Sequence, residues 1–232
     1  MTLDVGPCTA PLRVPATAVR RLSVTEAQQY LVPSPRLRLQ NVDHLALNTT
    51  DMRKTIDFYT RVLEMRLVAV TRTPPDLEKA RLAGAPPHAS LRHYFFELGG
   101  GGLLGFFEYP PGTPRGDRDC DGTMQHVAFL ASFADLARAR AQLERHGVPY
   151  VGPLEIEQRW WSLYFFDPNG IRLEITAHLV EASTDRALVP LQTEAEVRAE
   201  LRTLYDSEAE IDRLIADMPL LLDAPQPGSP AA

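Results

Sequence analysis

The sequence predicts an α+β chain built by internal duplication, and two observations carry that expectation. Between residues 41 and 110 a strand-like run, an amphipathic helix and three further strand-like runs follow one another, and the same order returns between 122 and 179. A histidine opens the first strand of each copy, His44 and His126, and a glutamate stands in the last, Glu108 and Glu174.

In the first copy, Val42 to Asn48 alternates as a strand, with Val42, His44 and Ala46 on one face and Asp43, Leu45 and Leu47 on the other. Thr50 or Asp51 caps a helix reaching about Leu63, where Ile56, Tyr59 and Leu63 keep an apolar stripe. A strand from Arg66 to Arg72 leads into a loop, Thr73 to Ser90, with four prolines and a helical turn expected at 76–82. Leu91 to Leu98 and Leu103 to Tyr109 read as a hairpin joined by four glycines, Gly99 to Gly102.

After a turn-rich link, Pro110 to Gly122, the second copy runs as a strand from Met124 to Ala131 and a helix from Phe133 to His146, ending at Gly147. Strands follow at Tyr150 to Ile156, Trp160 to Phe166 and Ile171 to Ala177, the last two joined by the turn Asp167-Pro168-Asn169-Gly170. Aligning His44 with His126 sets the copies 82 residues apart (126 − 44), and aligning Glu108 with Glu174 sets them 66 apart (174 − 108). The first copy is then 16 longer (82 − 66), an excess expected in the Thr73–Ser90 loop.

The flanks differ in character. Residues 1–40 form a proline-containing N-terminal extension with one short helix expected at Thr25 to Leu31. Residues 190–218 form a C-terminal helical extension, with amphipathic helices from Glu194 to Tyr205 and Glu208 to Met218, the second opened by a Ser207/Glu210 capping box. Residues 219–232 read as a tail.

A formal net charge of -6, with no Lys/Arg cluster beyond Arg20-Arg21, speaks against nucleic-acid binding and for a small-molecule substrate. No run approaches the roughly 20 apolar residues of a membrane span, and the N-terminus lacks the apolar core of a signal peptide, so a cytoplasmic protein is expected. Cys8 and Cys120 suggest neither a disulfide framework nor a close-spaced metal pair.

Four equivalent positions filled by His, Glu, His and Glu suggest a metal site, because carboxylates on the inside of a curved sheet need a counter-charge. His44, Glu108, His126 and Glu174 are the expected ligands of a divalent metal ion. Phe106, His93, Trp160, Trp161 and Tyr164 are expected to bind substrate; the aromatics would line a cup for a flat organic molecule, and the hairpin carrying His93 leads into Glu108.

The segments VDHLALNTTDMRKTIDFYTRVLEMRL, LLGFFEY, QHVAFL and YFFDPNGIRLEI resemble the vicinal oxygen chelate superfamily, which includes glyoxalase I, extradiol dioxygenases and the fosfomycin and bleomycin resistance proteins. The resemblance spans about Leu39 to His178, and the DPNG turn is its most specific piece. It implies paired βαβββ modules forming an eight-stranded cup around one metal, and a homodimer is expected. It also allows two chemistries. His44, His126 and Glu174 could form a two-His-one-carboxylate set for an Fe(II) extradiol-type oxygenase, the favoured reading. All four could instead hold Ni, Zn, Mn or Co in a glyoxalase- or epimerase-type lyase or isomerase with Glu108 or Glu174 as catalytic base. Tyr109-Pro110-Pro111-Gly112 replaces the aromatic-Asn-Trp-Gly run of many bacterial glyoxalases, which argues against glutathione as cosubstrate. A metal-free antibiotic-binding protein is the third reading.

Overall fold

The computed structural model describes residues 42–73, 88, 90–156, 160–178, 192–216 and 218. The chain divides into two compact units, Met1–Val42 and Asp43–Ala232, and both copies of the duplicated pattern belong to the second. The helix expected at Thr25 to Leu31, the turn expected at 76–82, Cys8 and the tail lie outside the described residues.

Two βαβββ modules are present. The first holds β1 (His44–Thr49), α1 (Met52–Asp57), β2 (Leu67–Arg72), β3 (Arg92–Glu97) and β4 (Leu103–Glu108). The second holds β5 (Val127–Leu130), α2 (Phe133–Arg145), β6 (Tyr150–Ile156), β7 (Trp160–Phe166) and β8 (Arg172–His178). Each makes a four-stranded sheet of the same topology, β1-β4-β3-β2 and β5-β8-β7-β6, in which the first and last strands pair in parallel and the other pairs are antiparallel. A parallel pair needs a long crossover, which α1 or α2 and the following hairpins supply.

Between Thr50 and Asp51, Asp51 is the helix cap, its carboxylate accepting from the Lys54 N–H. The helix continues past Asp57 as a π-helical turn, Phe58–Val62. That turn places adjacent aromatics against both sheets: Tyr59 packs on Phe96 and Phe106 of the first, and Phe58 on Phe165 of the second. On β6 the pairing shifts between Val151 and Leu154, and Gly152 sits there at φ +112, where a Cβ would lie 2.5 Å from the Ser162 carbonyl oxygen; only glycine fits this bulge.

Strand alternation divides each sheet into two faces. Leu47, Phe96, Leu104 and Phe106 of the first sheet and Leu163, Phe165, Leu173, Ile175 and Ala177 of the second share one core with Met52, Phe58, Tyr59, Val62, Leu136 and Leu143 from the helical segments. The opposite, outer faces therefore both turn away from that core.

The modules are tied by a polar joint at the β7–β8 turn. Asp167, buried, accepts from the Asn169 and Ile171 N–H groups (both 2.8 Å), from Asn169 Nδ2 (2.9 Å) and from the Tyr59 hydroxyl of the first module (3.2 Å). Asn169 Oδ1 accepts from the Thr49 hydroxyl at 2.7 Å. Glu64, after the π-helical turn, receives Arg138 of α2 in a two-toothed ion pair, which lowers its pKa.

Two C-terminal helices, α3 (Glu194–Leu201) and α4 (Glu208–Ile215), bury Val197, Ile211 and Ile215 with Leu201 in a small core of their own. The first ends short of the expected Tyr205, and Leu204 beyond its end is exposed. Thr193 and Glu196 form a full capping box, while at Ser207 the side chain accepts from the Glu210 N–H.

Candidate metal centre

His126 lies just before β5, and β5 pairs with β8 so that Ala128 stands opposite Glu174. The result is a close pair on the outer face: His126 Nε2 lies 3.0 Å from Glu174 Oε2. The other carboxylate oxygen accepts from the Tyr164 hydroxyl at 3.0 Å. Tyr164 stands directly across from Glu174 in the β7–β8 ladder, so it holds the carboxylate rather than lying free to meet substrate. Burial pushes the Tyr164 phenol upward, keeping it a donor.

His44 occupies the matching place in the first module, on the exposed outer face with Ala46 and Asn48. In both copies the preceding residue binds Nδ1 of the ring, Asp43 at 2.5 Å from His44 and Gln125 in contact with His126. An oxygen at Nδ1 accepts a proton held there and so favours the tautomer with Nε2 as lone-pair donor, the arrangement a metal-ligating histidine needs. These donors fit a divalent ion: the His44 imidazole, and the His126 imidazole facing a carboxylate anchored through its other oxygen, where an ion would replace the proton the pair shares.

Glu108 is separate from this set. In the β1–β4 ladder His44 stands opposite Leu103 and Glu108 opposite Thr49, at the far end and on the face of Leu104 and Phe106. There Glu108 accepts from the Met52 N–H at 2.9 Å and pairs with Arg92, serving the N-terminus of α1. The register equivalent of Glu174 is Gly105, since Ala46 pairs with Gly105 as Ala128 pairs with Glu174. The apolar stripe carried the signal: Leu104 and Phe106 match Leu173 and Ile175 at an offset of 69 (173 − 104), so the first copy is longer by 13 (82 − 69), not 16. Glu108→Ala is expected to leave metal content unchanged and to cost about 1 kcal/mol of stability through the helix terminus, checked by metal analysis and thermal unfolding.

The other expected substrate residues divide by face. Trp160 lies on the outer face, stacked on His178, and His93 lies on the outer face of the first sheet beside Phe107 and Phe95. Phe106 is fully buried in the core, and Trp161 packs against the core and under α2 instead of facing the site. Alternation decides both cases, because neighbouring residues on a strand point to opposite faces.

The profile of the Glyoxalase/Bleomycin resistance protein/Dioxygenase superfamily matches residues 41–175. The chain belongs to this superfamily. Among solved structures, it resembles a glyoxylase/bleomycin resistance protein/dioxygenase domain from Frankia sp. EAN1pec, with 22% identity and a TM-score of 0.50 over 62% of this chain and 96% of that one. A glyoxalase/dioxygenase from Nostoc punctiforme is 25% identical, with a TM-score of 0.45 over 64% of this chain and 97% of that one. The fosfomycin resistance protein FosX from Listeria monocytogenes is 18% identical, with a TM-score of 0.45 over 62% and 97% of the two chains. Superfamily membership accounts for the paired modules. It leaves the reaction to be argued from the site.

In this chain the outer faces of the two modules both turn away from the core they share. Among the described residues, no three His, Cys, Asp or Glu side chains gather as a metal-binding group. The outer face of the second sheet meanwhile exposes Leu130, Val151, Leu154 and Phe166 around the Glu174 strand. No described helix is long and apolar enough to cross a membrane.

Proposed function

We propose that the protein is a divalent-metal-dependent enzyme acting on a small chelating organic substrate, its metal held by His44 of one copy and by His126 and Glu174 of a second copy. The observation that carries this reading is the ladder register, with Glu174 and its Tyr164 anchor in one module and Gly105 at the same place in the other. Two imidazoles and one carboxylate leave coordination positions for a bidentate ligand, the donor set suited to Fe(II) oxygenases. A second copy is invoked because the outer faces of one chain point away from a common core, and because the exposed apolar residues around Glu174 need cover.

A divalent ion bound there supplies Lewis acidity and, as Fe(II), redox chemistry with dioxygen. The chain's own residues supply the rest. Asp43 and Gln125 orient the two imidazoles, and Tyr164 fixes Glu174. Phe95 and Phe107 on one face, with the Trp160–His178 stack on the other, provide flat apolar surface for a planar substrate and exclude water around it. An isomerase reading needs a mobile carboxylate base, and Glu108 is engaged elsewhere.

Oxygen uptake by the Fe(II)-loaded protein should be measured across catechols and enolisable ketones, beside hemithioacetal isomerisation by the Ni(II)- and Zn(II)-loaded protein. Substrate-dependent oxygen uptake is the expected result. Isomerisation without oxygen uptake would replace the oxygenase reading with a lyase or isomerase. Tight binding of an antibiotic by metal-free protein, without turnover, would replace both.

A further inference from the structure

His93 is the residue of the outer faces whose chemistry is still unaccounted for. Its Nε2 is buried and has no hydrogen-bond partner. Ring packing explains where the imidazole lies, stacked on Phe107 at 3.7 Å between centroids and tilted against Phe95 at 4.1 Å. Packing does not explain why a nitrogen is left unsatisfied there, which structures generally avoid.

The place this nitrogen occupies is informative. A Cβ built on Gly105 would lie 3.1 Å from His93 Nε2 and 3.0 Å from Phe95, so the glycine is what admits the histidine. Gly105 is the register equivalent of Glu174, and a glutamate carries its carboxylate oxygens about 3 Å from its own Cβ. His93 Nε2 thus lies at about the distance from position 105 that a carboxylate oxygen would. The neighbouring substitution agrees. Phe95 stands across from Gly105 as Tyr164 stands across from Glu174, so the module without a carboxylate also lacks the hydroxyl that would hold one. Phe95 touches both imidazoles of this face, its ring edge-on to His44 at 5.9 Å.

Resting on the metal site proposed above, we infer that His93 supplies a fourth protein donor in the substrate-free site, replacing the carboxylate absent at Gly105. Each half of the site then brings two donors, His44 with His93 from one copy and His126 with Glu174 from the other. A fourth protein donor leaves fewer positions for substrate and dioxygen together, so the count of nitrogens also bears on the reaction.

The test uses full-length, substrate-free protein. Pulsed EPR of the Cu(II)-loaded protein should count three coordinated imidazoles in the wild type and two in His93→Ala. Co(II) affinity should fall about 100-fold in His93→Ala, at the upper end of what even indirect ligand supports cost. It should fall also in Gly105→Ala, whose Cβ displaces the ring without removing a donor. Adding Gly105→Glu to His93→Ala should recover affinity by returning a carboxylate, a rescue that a packing role for His93 does not predict. Two imidazoles in the wild type, or unchanged Co(II) affinity in His93→Ala while His126→Ala loses the metal, would overturn the His93 assignment and leave the three-ligand site standing. Absence of metal binding by wild-type protein would overturn both.

Discussion

Asp167→Ala is expected to destabilise the protein by about 3 kcal/mol, because it strips a buried acceptor from four donors at once. Those donors are two backbone N–H groups of the turn, the Asn169 amide and the Tyr59 hydroxyl, so the substitution loosens both the β7–β8 turn and the joint between modules. Burial also holds the Asp167 carboxyl above its ordinary value. A raised carboxyl pKa makes the folded state the better proton binder. Its contribution to stability is therefore greatest in acid, declines as pH rises from about 4 through the folded pKa, and is constant above. Asp167→Asn lacks this titration. Relative to that variant, the wild type should lose stability as pH rises through the window just above pH 4, as read from denaturant unfolding at a series of pH values. A flat difference across the window, or an Asp167→Ala variant as stable as the wild type, would sink this account of the joint.

Much of this fold was legible in the sequence because the duplicated pattern of strands and helices repeats the same physical solution. The alternation around His44, the DPNG turn and the helix from Phe133 all appear where periodicity and turn chemistry put them. Glu108 was misleading for a definite reason. It sits beside aromatics in the last strand of its module, as expected for a ligand, but shares parity with Leu104 and Phe106 and so faces the core side. Matching apolar stripes instead of glutamates would have found Gly105. The paired aromatics Trp160 and Trp161 divide between faces for the same reason. The π-helical turn that lets Phe58 and Tyr59 reach both sheets left no signal in the periodicity, since one added residue per turn is set by what packs against it. The proposed pairing of outer faces between copies has no signal in the sequence either, because each module alone satisfies its own alternation.

The largest effect on function is expected from the metal donors. His126→Ala and Glu174→Ala should each lose the metal almost entirely, because the two groups meet at 3.0 Å and neither has a substitute on its strand. His44→Ala should lose it as well, although His44 sits on the other module and no described residue of the same chain brings it to Glu174. That dependence on both modules, with no convergence inside one chain, is the core of the proposal.

Co-expression of His44→Ala and His126→Ala chains carrying different affinity tags tests it most directly. A heterodimer purified through both tags has one site with both substitutions and one with neither, so it should hold about one metal ion where the wild-type dimer holds about two, while each variant alone holds essentially none. Sites closed within single chains predict no metal in the mixed species, and that result would contradict the account.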